Sequence, residues 1–148
     1  MIWTPHLTVA AVIERDGEML MVEELADSRN VYNQPAGHVE NQETIYDAVI
    51  REVNEETAWC FKPEYIVGLY KWRKPEIDRT FVRICFAGSV ENHNPAQALD
   101  DGILAASWIS SEQLLNMSAE RMRSPLVKQC INDYRQGKQY PLDFITEW

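Results

Sequence analysis

The sequence predicts a mixed α/β (α+β) fold, with helices packed on a mixed β-sheet. Three observations predict it. Short β-rich apolar runs precede, separate and follow segments whose apolar residues recur at helical spacing. An Asp-Gly turn and a Ser-Pro helix start mark where elements begin and end. No repeat, low-complexity tract or Gly/Ser linker interrupts the 148 residues, so a single domain spanning 1–148 is expected.

Taken in order, Leu7 to Glu14 is a β-rich apolar segment. Asp16-Gly17 and then Met19 to Glu24 follow, which reads as a hairpin. Asn33 to Gly37 (NQPAG) is turn chemistry, with φ fixed at Pro35 and permissive at Gly37. Helical signals run from Glu43-Thr44 to about Thr57, with Ile45, Ala48, Val49 and Val53 as the buried stripe. Strands are expected at Tyr65 to Trp72 and at Thr80 to Val90, where Val82, Ile84 and Phe86 alternate with Phe81, Arg83 and Cys85. Asn92 to Gly102 reads as a loop, and Ile103 to Ile109 as a further strand. Ser110 and Gln113 form a capping box opening a short helix. A last helix starts at Ser124-Pro125, buries Leu126, Val127, Cys130, Ile131 and Tyr134, and stops at Gly137.

Composition narrows the function. The chain is 45% hydrophobic and 25% charged, as soluble globular proteins are, and its net charge is −9. An acidic surface repels phosphate backbones and anionic lipid, so neither a nucleic-acid polymer nor a membrane is an expected partner. An anionic substrate would need a local reversal of charge, which a bound divalent cation supplies. Cys60, Cys85 and Cys130 suggest neither a disulfide framework nor a zinc motif. Met1 to His6 is not a basic region followed by an apolar stretch, so no signal peptide is expected and a reducing cytoplasm is the simplest location. No exposed apolar stripe stands out, and a monomer is the default expectation.

The informative stretch is Gly37 to Trp59. Glu52 shares a helix face with both Glu55 and Glu56, and like charges at that spacing destabilise a helix by about 0.2–0.5 kcal/mol per pair. The cluster also sits in the last turns, where the helix dipole disfavours anions, and Arg51 is the only basic residue of the helix. Two readings follow. One is a solvated acidic face on an acidic protein, which charge runs usually are. The other is a cage for a hard cation such as Mg²⁺, held by carboxylates together with substrate phosphates.

The spacing around the cluster bears on this choice. Gly37 is followed by five residues and Glu43, then by seven residues and Arg51-Glu52-Val53-Asn54-Glu55-Glu56-Thr57-Ala58-Trp59. This resembles the Nudix box: six specified residues, Gly37, Glu43, Arg51, Glu52, Glu55 and Glu56, stand at its set offsets, and the chain departs only in having Ala58 where the box has a further Gly. A left-handed helix end at Ala58 would cost about 1–2 kcal/mol, so a different helix end or some strain is expected.

The resemblance implies an α/β/α sandwich around a mixed sheet. It implies a hydrolase of diphosphate-linked small molecules that depends on Mg²⁺, with Mn²⁺ as a substitute. Glu52, Glu55, Glu56 and the Ala36 carbonyl are then the metal-ligand candidates, and Glu52, Arg51 and Glu55 the catalytic ones. Glu52 would position or deprotonate the attacking water, and Arg51 would orient the glutamates. Glu43 is an ion-pair candidate for Arg51, with a simple solvated cap as the alternative. Straight helix would hold them about 12 Å apart, so contact requires Glu43 in a folded-back loop.

Many family members add an acid from a later loop, a few residues before a Trp. Here the Trp is Trp108, and Asp101 or Asp100 is the candidate, with a plain polar loop the alternative. Trp72 and Arg83 lie on neighbouring predicted strands and are the remaining substrate-binding candidates. Trp72 would stack on a ring and Arg83 would hold a phosphate. For Trp72 a place in the core is the favoured alternative, and for Arg83 a surface ion pair. His6, His38 and His93 lack metal spacing, with structural roles expected.

Further similarity to one bacterial phosphatase branch of the family runs through Pro5 to Val9, Val22 to Glu24, Asn33 to His38, Arg123 to Val127 and Tyr134 to Leu142. It implies nucleoside di- and triphosphates, and hydroxymethylpyrimidine and thiamine diphosphates, as substrates with orthophosphate as a product. Three alternatives stand beside it: cleavage of ADP-ribose or dinucleoside polyphosphates, a Nudix-fold module that binds nucleotide without cleaving it, and an acidic interaction protein with a solvated helix.

Overall fold

Strand β1 (His6–Arg15) organises the molecule, and the computed structural model describes it together with the rest of residues 1–148. Val9 to Ile13 are at most 1% exposed, so β1 is covered on both faces and both edges. It turns into β2 (Glu18–Ala26) through Asp16 and Gly17, which take φ of 52° and 80° as a tight hairpin turn requires. The expected hairpin lasts only two rungs, Glu14 against Met19 and Arg15 against Glu18. The strands then part. A strand buried on both faces needs two full neighbours, and β1 takes β4 (Ala36–His38) antiparallel and β6 (Arg79–Glu91) in parallel. Strand β2 takes β3 (Arg29–Asn33) and β7 (Ile103–Ser110), both antiparallel.

Strand β5 (Cys60–Lys74) forms the edge beyond β6 and is longer at both ends than the sequence reading. The seven-stranded mixed sheet runs β3-β2-β1-β6-β5, with β4 on β1 and β7 on β2. The Asn33 to Gly37 segment, expected as a turn, breaks only at Gln34-Pro35 and resumes as β4. Pro35 has no N–H to continue the ladder, but its carbonyl accepts from Ala11 N–H at 3.0 Å.

Helices cover both faces. α1 (Ile45–Thr57) buries Ala48, Val49 and Val53 against Val9, Ala11, Ile13, Ile84 and Phe86. The alternate residues Ala10, Val12, Cys85 and Ala87 point the other way. There they meet Leu114 of α2 (Ser111–Asn116) and Val127, Cys130 and Ile131 of α3 (Leu126–Arg135). The period-2 pattern of β1 and β6 thus feeds two cores, giving the expected α/β/α layering.

The helix starts follow their caps. Thr44 Oγ1 accepts from Asp47 N–H at 3.0 Å, Ser110 Oγ from Gln113 N–H at 3.1 Å, and Ser124 Oγ from Leu126 N–H at 3.2 Å.

Candidate active site

The last two turns of α1 lie beneath β4. Glu52 and Glu56, one turn apart, face inward and are only 8% and 7% exposed, whereas Glu55 points to the helix flank and is half-exposed. Ala36 N–H donates to Glu56 Oε1 at 2.8 Å. At Gly37 a Cβ would overlap the Glu52 carboxylate, so any side chain there would displace that carboxylate from its place under β4. The glycine, the alanine and the glutamates of the motif are therefore one packed unit.

Arg51 holds this unit from outside. Its Nε and Nη2 grip Glu43 at 2.6 and 3.0 Å, its Nη1 reaches Glu52 Oε1 at 2.8 Å and Glu55 Oε2 at 3.1 Å, and Nη2 also donates to the His38 carbonyl at 3.0 Å. Glu43 stands before the helix, folded back as the contact demanded, and Glu40 N–H donates to it at 3.0 Å. The hydrogen bond from Arg51 holds the Glu43 carboxyl below its ordinary range, and that of Glu43 in turn raises Arg51.

No cation sits on the other side. Burial pushes Glu56 up to about 9, with Glu52, Glu24 and Asp100 adding repulsion, and burial likewise raises Glu52 against the pull of Arg51. Glu56 has one hydrogen-bond donor, the Ala36 amide, and no basic partner. A buried carboxylate pair of this kind fits a divalent cation. No three acidic side chains converge on a common point, and Arg51 holds one oxygen each of Glu52 and Glu55.

The helix end follows the pattern of a glycine cap although the residue is Ala58. It takes φ 62° and ψ 19°, and its N–H bonds to the Asn54 carbonyl. The strain alternative, not a different exit, is what the structure adopts. The Asn92 to Gly102 loop closes the remaining carbonyls: Asp100 N–H donates to Glu55 O at 2.8 Å and Gln97 Nε2 to Asn54 O at 2.9 Å. This seats Asp100, rather than Asp101, near enough to Glu52 and Glu56 to act on their charge. Asp101 is exposed and makes no side-chain hydrogen bond or ion pair.

Across β4 from the glutamates opens a cleft whose wall includes Ala36, Gly37, Trp72 and Arg83. Trp72 is half-buried and stacks on Phe81 with centroids 5.9 Å apart, so it lines a cleft instead of filling the core that the sequence favoured. Arg83 is 6% exposed and pairs with no carboxylate, which excludes the surface ion pair. Its Nη1 donates to Gln34 Oε1 at 2.9 Å and its Nη2 to Asn33 Oδ1 at 3.1 Å.

Lys74, Arg79 and Arg123 join Arg83 in this cleft, whose lining holds one acid, Glu24; Arg123 pairs with Glu24 at 3.8 Å and Lys74 with Asp27 at 3.4 Å. The sequence reading gave these residues no role: Lys74 and Arg79 flank the β5–β6 turn, and Arg123 comes from the segment before α3, a distant piece of chain that spacing cannot bring to them. Beyond Trp72 the cleft continues into a larger one lined also by Arg29 and Lys128.

The chain matches the NUDIX domain family over residues 4–130. It is 39% identical over 145 residues to the phosphatase NudJ of Escherichia coli K12, covering 97% of this chain and 92% of that protein. A NUDIX hydrolase structure from Nitrosomonas europaea superposes with a TM-score of 0.94 at 43% identity, covering 98% of both chains. A Francisella tularensis bifunctional NMN adenylyltransferase/ADP-ribose pyrophosphatase, complexed with AMP and a Mn ion, shares the fold alone. Its TM-score is 0.65 at 21% identity, over 90% of this chain and 42% of that one.

Proposed function

Because this chain belongs to the NUDIX family of pyrophosphate-bond hydrolases, we propose that it is a divalent-metal-dependent phosphatase of nucleoside di- and triphosphates and of hydroxymethylpyrimidine and thiamine diphosphates, releasing orthophosphate. One observation carries the reading: a buried carboxylate cluster and a cation-lined cleft share the wall Ala36-Gly37. A diphosphate spanning that wall puts its anhydride beside the glutamates and its distal phosphate on the cations.

In this reading Glu52, Glu55, Glu56 and the Ala36 carbonyl hold Mg²⁺ or Mn²⁺. The metal would polarise a phosphoryl oxygen and acidify water. Glu52 receives the proton of the attacking water. Arg51 occupies its Oε1, which leaves Oε2 for that proton. The water oxygen bonds to phosphorus as the anhydride P–O bond breaks. Arg51 keeps the glutamates oriented, Arg83 holds a phosphate, Trp72 stacks on the ring of the leaving portion, and Asp100 closes the site from the loop. The whole chain acts as one unit: Ile66 and Tyr140 bridge β5 to the C-terminal segment, and Glu147 accepts from Ile45 N–H at the start of α1. No helix is long and apolar enough to cross a membrane, and a cytoplasmic enzyme is the reading we adopt.

A second reading, ADP-ribose or a dinucleoside polyphosphate, is favoured by the continuation of the cleft past Trp72, which offers room for a longer substrate. The test is incubation with Mg²⁺ and nucleoside di- and triphosphates, thiamine diphosphate and ADP-ribose, with orthophosphate and pyrophosphate measured separately beside Glu52→Gln. Orthophosphate from the first three, abolished by EDTA and by the substitution, supports the proposal. Cleavage of ADP-ribose alone moves the enzyme to the second reading. Binding without cleavage makes it a binding module.

A further inference from the structure

Arg83 is a buried cation in a protein with 23 acidic and 14 basic residues, yet no carboxylate touches it. Its guanidinium is held by two side-chain amides, with the Cys130 sulfur 4.0 Å from Nη1. Each amide works in both directions. Gln34, 1% exposed, accepts from Arg83 and donates through Nε2 to the Val127 carbonyl at 2.8 Å. Asn33, 7% exposed, accepts from Arg83 and donates through Nδ2 to Glu24 Oε1 at 3.1 Å.

A carboxylate can accept but cannot donate, so an amide serves both ends of either connection where a carboxylate would not. Asn33 thus stands between Arg83 and Glu24, the acid nearest to it along this chain of bonds. We propose that Gln34 and Asn33 are positioning residues that orient the Arg83 guanidinium toward the cleft while keeping its charge unneutralised, reserved for a phosphoryl group of the substrate. The inference rests on the hydrolase reading and on Arg83 as its phosphate ligand. It assigns a purpose to the Asn33-Gln34 pair, for which the sequence suggested turn chemistry and a place in the family similarity but no role in the site.

The physical reason is competition. An arginine already paired with a carboxylate must exchange partners to take a phosphate, and the displaced acid then repels it. An arginine held by neutral amides keeps its fork geometry and its full positive charge for the incoming anion.

The test compares Gln34→Glu, which keeps an acceptor for Arg83 but adds a charge, with Gln34→Met, which removes the acceptor but leaves the charge of Arg83 free. Asn33→Asp provides the same contrast at the second amide should the Gln34 variants fail to fold. The readouts are Kd for inorganic pyrophosphate by calorimetry in EDTA, KM and kcat for a nucleoside diphosphate with Mg²⁺, and thermal midpoint. Gln34→Glu should weaken pyrophosphate and raise KM by at least tenfold, with kcat changed less than threefold. Gln34→Met should have the smaller effect of the two.

The proposal is overturned if the acidic variant keeps wild-type Kd and KM. It is also overturned if Gln34→Met is the worse binder, or if the losses only follow the thermal midpoint, as a purely structural amide would require. Pyrophosphate bound by the wild type and lost in Arg83→Gln, with no substrate cleaved, would sink the hydrolase reading and leave the assignment of the amides to be decided by Kd alone.

Discussion

The Cα of Gly37 lies against the carboxyl group of Glu52, and any side chain at 37 would occupy the space of those carboxyl atoms. The glycine here serves a close approach: its φ is not positive, and what it removes is a methyl group. Gly37→Ala should push Glu52 out of place while leaving both cores intact. The expected result is a fall in kcat/KM of roughly 10–100-fold, comparable to loss of an outer-shell partner of a metal site. Steady-state kinetics alongside an unchanged circular dichroism spectrum checks it; wild-type activity would mean that Glu52 tolerates displacement.

Arg51 should not be replaceable by lysine. Its fork meets Glu43 through two nitrogens while a third reaches Glu52 and Glu55, and one ammonium cannot span these positions. We expect Arg51→Lys to lose about 2–3 kcal/mol of stability in urea unfolding and nearly all activity. Glu43→Gln, which leaves the glutamate cluster its arginine, should lose about 1 kcal/mol and only part of the activity.

Metal uptake should release a proton. Glu56 titrates at about 9 in the folded protein, above the ordinary carboxylate value, so its protonated form is the one that folding favours. A group raised in this direction contributes stability that is complete below the unfolded carboxylate pKa and is lost as pH rises through the folded value. Metal-free protein should therefore weaken between about pH 4.5 and 9, and Glu56→Gln should flatten that decline. At pH 7.5, Mg²⁺ or Mn²⁺ binding should expel about one proton, read by calorimetry in buffers of different ionisation enthalpy. No buffer dependence would show that Glu56 is already ionised or does not meet the metal.

Trp72 lies between the two clefts with its ring flat on Phe81. Trp72→Leu should raise KM for thiamine diphosphate and nucleotides about 3–10-fold, the scale of one aromatic stacking contact. Inorganic pyrophosphate, which has no ring, should bind as before. An equal loss for both ligands would assign Trp72 to the shape of the cleft.

The sequence made the carboxylate cluster legible because helical spacing is local: Glu52, Glu55 and Glu56 needed only their offsets. The Arg51–Glu43 pair was legible as a condition, since geometry demanded that Glu43 leave the helix. What stayed hidden depends on pairings between distant segments. That β1 leaves β2 after two rungs for a parallel partner is set by burial of both its faces, and alternation alone cannot choose among neighbours. Trp72 and Arg83 were visible as residues, but whether they face core, solvent or cleft follows from where α3 and β3 pack. Asn33 and Gln34 read as turn formers because a side-chain amide looks alike whether it serves a turn or an arginine. At Ala58, packing at 2% exposure overrode a backbone preference the sequence could state only as a cost.

The central strand precedes every other strand of its sheet along the chain, and its parallel partner begins only at Arg79. Until the ribosome has delivered residues 79–91, β1 has one long edge bare, and the apolar residues Val9 to Ile13 have no place to hide. β4, which brings Gly37 and Ala36 to the glutamates, hangs on that same strand. Residues 6–78 therefore emerge before the strand that covers this edge, with the glutamate cluster not yet packed under β4. A sheet whose central strand waits for so distant a partner should fold late and cooperatively.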